Sequence, residues 1–94
     1  MFKHIVLWNY KPEATHREID EITFRLLELK KLDEVLELSI QKSNTKTSTK
    51  DYCLIVTFLN EKDYISYSDN PEHKKIAELI KKSFTKRECF DVEL

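Results

Sequence analysis

Ninety-four residues are expected to make one domain, 1–94, with no room for a second. Charged residues are 35% of the chain, but 16 Lys and Arg against 17 Asp and Glu leave a net charge of −1, which argues against a basic nucleic-acid-binding surface. The chain has no glycine, which excludes the Gly-rich phosphate loops and leaves positive-φ positions to residues such as Asp33, Asn44, Asn60 or Asn70.

Residues 2–10, rich in β-branched and aromatic types, predict a strand. Thr15-His16-Arg17-Glu18 fits a capping box, and Ile19, Ile22, Leu26 and Leu29 at helical spacing predict a helix over 16–31. Residues 34–42 alternate, with Leu36, Leu38 and Ile40 on one face, as a strand with one wet face does. A polar Ser/Thr/Lys loop, 43–50, leads to a strongly apolar strand over 51–59. Asn60 suits the cap of a short helix, 61–68. Asn70-Pro71 starts another helix, whose stripe is His73, Ile76, Ala77, Ile80 and Phe84. Residues 86–93 predict a last strand, with Phe90 and Val92 inward and Arg87, Asp91 and Glu93 outward.

The order is β-α-β-β-α-β, an α+β ferredoxin-like plan. The first and third strands are apolar on both faces and the other two on one face only, which suits the antiparallel sheet order 4-1-3-2. Both helices cover one face of such a sheet. The other face, with Ile5, Leu7, Ile55 and Leu59, makes a patch of the kind that marks an interface, and a second copy of the chain is its simplest cover.

No apolar run is long enough to span a bilayer, and Met1-Phe2-Lys3-His4 has no look of a signal peptide. Cys53 and Cys89 form no C-x-x-C pair and suit a reducing compartment, so a cytoplasmic protein without a membrane partner is expected. Histidines at 4, 16 and 73 have no ligand spacing, and neither a metal nor a cofactor is expected.

Four segments together resemble the stress-responsive A/B barrel domain family (Dabb). They are His4-Ile5-Val6-Leu7-Trp8, Lys11-Pro12-Glu13-Ala14-Thr15, Asp51 before the third strand, and Tyr67-Ser68-Asp69-Asn70-Pro71-Glu72-His73. The resemblance covers essentially the whole chain in one register. It departs from the family pattern where Asn70 replaces the usual His before Pro, and where a Gly between the first helix and second strand is missing. It implies a ferredoxin-like fold that pairs sheet to sheet as a dimeric α+β barrel. Within the family, one plant branch builds stable ring-shaped oligomers, and another plant member is a polyketide cyclase closing an aldol ring between helices and sheet. By position, His73, Tyr67 and His4 match that cyclase's pocket residues.

What the resemblance implies is a small-molecule pocket, suited to a small apolar or polyketide-like ligand and to cyclase- or lyase-like acid–base chemistry. His73 is the candidate base. Tyr67 and His4 are candidates to polarise the substrate, and Val6, Trp8 and Ile76 to line the pocket. Each has a plainer reading: His73 a buried ring bonded to backbone or a helix cap, Tyr67 and Trp8 core aromatics, His4 a satisfied core histidine. The alternative function is a non-catalytic structural or stress-protective homo-oligomer. The wider barrel group also admits cofactor-dependent oxygen chemistry, for which no haem-ligand context is visible.

Overall fold

The computed structural model describes residues 1–94. Strand β1 (Phe2–Tyr10) leads through Lys11–Ala14 to helix α1 (His16–Glu28), and β2 (Glu37–Lys42) and β3 (Tyr52–Phe58) follow. Two consecutive helices, α2 (Glu61–Asp69) and α3 (Pro71–Ser83), return the chain to β4 (Phe84–Glu93). The four strands form one antiparallel sheet in the order β2-β3-β1-β4. The fold is therefore α+β and ferredoxin-like, with the two-faced strands β1 and β3 in the middle.

Local sequence explains where each helix starts. The Thr15 hydroxyl accepts from the Glu18 amide at 3.1 Å while the Glu18 carboxylate accepts from the Thr15 amide at 2.8 Å, closing a full capping box. Asn60 caps α2 by accepting from the Asp63 amide, and Asn70 caps α3 by accepting from the Glu72 amide, with Pro71 as first helical residue. Helix α1 ends earlier than its apolar periodicity predicts. Leu29–Lys31 tighten into a 3-10 turn, and β2 starts at Glu37 rather than 34 because 32–36 are spent reversing the chain.

The core lies on the even-numbered face of β1. Val6 and Trp8, with Leu54, Val56 and Phe58 of β3, pack under Ile22, Leu26, Ile76 and Ile80 of the helices. Each such side chain, fully buried, contributes about 1.5–3 kcal/mol. At one end Trp8, Tyr10, Tyr52 and Phe84 form an aromatic cluster, with Tyr52 and Phe84 centroids 4.7 Å apart. Asp51 secures that end by accepting from the Tyr10 amide at 2.9 Å.

Two sequence expectations are corrected in β4. Phe90 and Val92 do not point inward, because they pair with Ile5 and Lys3 and so share the face that no helix covers; Phe90 is 63% exposed. Asp91 pairs with His4 and thus faces the helices, and Arg87 turns the same way. With a period of two, a one-residue offset exchanges the faces of a whole strand, and an edge strand of mostly polar residues offers little apolar pattern to fix the choice.

The second correction concerns backbone conformation. None of the Asn or Asp residues named above has positive φ; the only such residue is Lys86, at φ 53°. It sits in a β-bulge, since Leu7 pairs with Glu88 but Asn9 with Thr85, leaving Lys86 and Arg87 both opposite Trp8. A left-handed lysine costs roughly 1–2 kcal/mol.

On the open face Phe90, Ile5 and Ile55 form an apolar row across three strands, with Leu7 beside them opposite Cys53. Leu59 stands outside this ladder, one residue past the end of β3 and 60% exposed. No helix is long and apolar enough to cross a membrane.

Candidate active site

Between the sheet and helices α1 to α3 lies a cavity of about 230 Å³. Its floor is β1, where alternation sends His4, Val6 and Trp8 to the same side. Its roof includes Leu26 of α1 and Ile76 and Ile80 of α3, one helical turn apart. Tyr67 closes it from the last turns of α2, and His73 from the first turn of α3. The α2–α3 corner at Asn70-Pro71 brings those two rings together, their centroids 4.6 Å apart. His4, Tyr67, His73, Val6, Trp8 and Ile76, the six residues singled out for a pocket, all line this one cavity.

The two histidines differ in their partners. His4 is 4% exposed, and its Nδ1 lies 2.6 Å from Asp91 Oδ1, with its ring against Tyr64 at 4.6 Å. An ionised carboxylate only accepts, so Nδ1 carries the proton and Nε2 keeps its lone pair. Burial pushes the His4 pKa below its ordinary 6.5, and Asp91 opposes part of that push. A neutral His4 therefore offers a ligand a lone pair rather than a proton, which differs from the polarising role expected of it.

His73 makes no side-chain hydrogen bond at all. Its Nδ1 is fully buried and has no protein partner. Burial lowers its pKa most; the Ser68 carbonyl opposes this without meeting hydrogen-bond geometry, and the nearby charges of Arg87 and Lys74, and of His4 when protonated, lower it further. The ring is thus neutral at pH 7 with a nitrogen unused by the fold. Tyr67 is 1% exposed, makes no side-chain hydrogen bond, and is held protonated by burial, well above the usual tyrosine range. It is placed to donate.

Sequence reasoning missed Asp91, which it placed on the wrong face, and the stretch Thr85 to Arg87, which with Phe84 completes the cavity wall. Only the strand register could have found them. The same register brings His4 Nδ1, Cys89 Sγ and Asp91 within 4.8 Å of one another, a set able to supply three ligands to a soft divalent cation. Cys89 Sγ is 3.6 Å from His4 Nδ1 and 3.4 Å from Asp91 Oδ1. Burial and the Asp91 carboxylate push that thiol's pKa up.

The sequence profile of the Stress responsive A/B Barrel Domain family matches residues 2–94. The chain belongs to this family. Solved structures with the same fold include a dimeric ferredoxin-like protein from Thermobifida fusca, 17% identical over 99% of this chain and 90% of that one, with a TM-score of 0.90. A hydroxynitrile lyase from Passiflora edulis is also 17% identical, over 99% of this chain and 92% of its own, with a TM-score of 0.90. A dimeric protein from Bacteroides fragilis is 21% identical over 99% and 95%, with a TM-score of 0.80. At these identities the likeness establishes the ferredoxin-like fold. No curated protein matches the chain.

Proposed function

We propose that this A/B barrel protein binds a small carbonyl compound in the cavity and moves a proton on it, as a cyclase- or lyase-like acid–base enzyme. The observation that carries the reading is His73, a lining residue of a largely apolar cavity whose Nδ1 is buried without a partner. A buried polar atom that the fold leaves unsatisfied is costly, and a ligand that bonds to it recovers that cost. His73 takes a proton from the carbon next to the carbonyl, and Tyr67 donates its hydrogen bond to the forming enolate oxygen. His4, held by Asp91, is the second acceptor and fixes a ligand hydroxyl or enol through Nε2. A hydroxynitrile lyase among the similar folds supports a lyase-like reading.

Deuterium uptake at the benzylic carbon of phenylacetone tests this. The protein is expected to accelerate exchange, and His73→Ala to lose about 100-fold or more of the acceleration. Equal rates with the protein and with His73→Ala remove His73 as the base.

The working unit under this reading is a homodimer joined through the open sheet face, where Phe90, Ile5 and Ile55 lie in a row. Dimeric proteins of the same fold support it. At about 25 cal/mol per Å², covering such a surface stabilises the pair by several kcal/mol. Sedimentation equilibrium at micromolar concentration is expected to give twice the chain mass, and Phe90→Asp to shift it to monomer. A wild-type monomer at that concentration would refute the dimer.

A further inference from the structure

The wall of the cavity has a charge character that the chain as a whole does not. Acidic residues slightly outnumber basic ones over the 94 residues, yet no Asp or Glu lines the cavity, while Lys81, Lys86 and Arg87 do. Lys81 is engaged by Glu78 at 3.2 Å. Lys86 and Arg87 have no carboxylate partner anywhere in the chain.

Their placement is built rather than incidental. In a regular strand alternate residues leave the face, but the bulge opposite Trp8 makes Thr85, Lys86 and Arg87 all part of the wall. Holding that bulge requires the single left-handed residue of the chain, and it is a lysine in a sequence that has no glycine to use there. Strained backbone of this kind clusters at ligand sites. Arg87 is also close enough for its charge to act on both His4 and His73, so the cationic edge and the acid–base groups belong to one site.

Resting on the reading of the cavity as a site for a small carbonyl compound, we propose that this compound also carries one carboxylate. The apolar body lies among Val6, Leu54, Ile76 and Phe84, and the carboxylate pairs with the Arg87 guanidinium and Lys86 ammonium at the bulge. Arg87 suits the fork of a carboxylate, and Lys86 adds a point charge. The volume of 230 Å³ lies below the range of drug-sized sites and limits the body to one aromatic ring or a short alkyl chain.

Phenylacetate and its neutral near-isostere phenylacetamide provide the test, each titrated into the protein by calorimetry. Phenylacetate is expected to bind about tenfold more tightly, with the preference shrinking as salt rises from about 50 mM to about 500 mM. Arg87→Gln is expected to bring the two affinities within about twofold. Lys86→Gly, whose residue adopts the bulge without strain, keeps a folded control and loses part of the preference. Equal binding of the two probes by the wild type overturns the carboxylate and leaves the cavity reading standing. Phenylacetamide binding alone does the same, and binding of neither overturns both. An undiminished preference in Arg87→Gln overturns the assignment to the bulge.

Discussion

His4 and His73 line one cavity, both buried and both neutral at pH 7, yet the fold treats them oppositely. His4 sits on the central strand β1 with its Nδ1 proton committed to Asp91 and its ring packed at a tilt against Tyr64. His73 sits at the start of α3 beside Tyr67 with no hydrogen bond. A satisfied histidine contributes to stability and is oriented before a ligand arrives. An unsatisfied one is a cost to the fold and has chemistry to offer. The difference separates the ring that is held from the ring that is available, which burial alone would not do.

The sharpest way to break this contrast is to remove the partner of one histidine and the polar atoms of the other. Asp91→Ala leaves His4 Nδ1 buried with only the Cys89 sulfur, 3.6 Å away, as a weak acceptor. The orphaned donor is expected to cost about 1–3 kcal/mol, read from urea unfolding. Because Asp91 raises the His4 pKa, the variant should also show that ring titrating lower by NMR. His73→Phe should act the other way and stabilise by about 1 kcal/mol, since it removes a buried polar atom that had no partner. Destabilisation by both substitutions to the same degree would mean that His73 is bonded in solution and that the two rings are alike.

The parts of this site that the sequence shows are those that depend on spacing along one element. The periods of β1 and of α3 put His4, Val6 and Trp8 on one face and His73 and Ile76 on one stripe without any structure. The capping signals at Thr15, Asn60 and Asn70 locate the helix starts for the same reason, because a cap is a local contact. Asp91, Lys86 and Arg87 depend instead on how β4 registers against β1. A strand reading Lys-Arg-Glu-Cys-Phe-Asp has too weak an alternation to declare its faces, and a bulge makes counting from either end fail. The sheet order was legible because two-sided strands must be central. The partner of His4 was not, because it lies 87 positions away and on an edge.

The smallest expected effect is the pH dependence of stability, and it distinguishes the histidines further. Both have folded pKa values below their ordinary 6.5, with burial as the leading cause. As pH falls below about 6.5 the unfolded chain takes up these protons first, so stability present above that value is lost progressively on the acid side. The urea midpoint is therefore expected to be lower at about pH 5 than at about pH 7.5. His73→Phe should reduce that drop by removing one of the two groups. Asp91→Ala should enlarge it, because taking away the one influence that raises the His4 pKa widens the gap between folded and unfolded values. A wild-type midpoint that does not move between the two pH values would show that neither ring is held neutral by the fold. A drop unchanged in His73→Phe would place the whole effect on His4 and leave His73 free in the second sense as well, open to solvent and able to take a proton without cost.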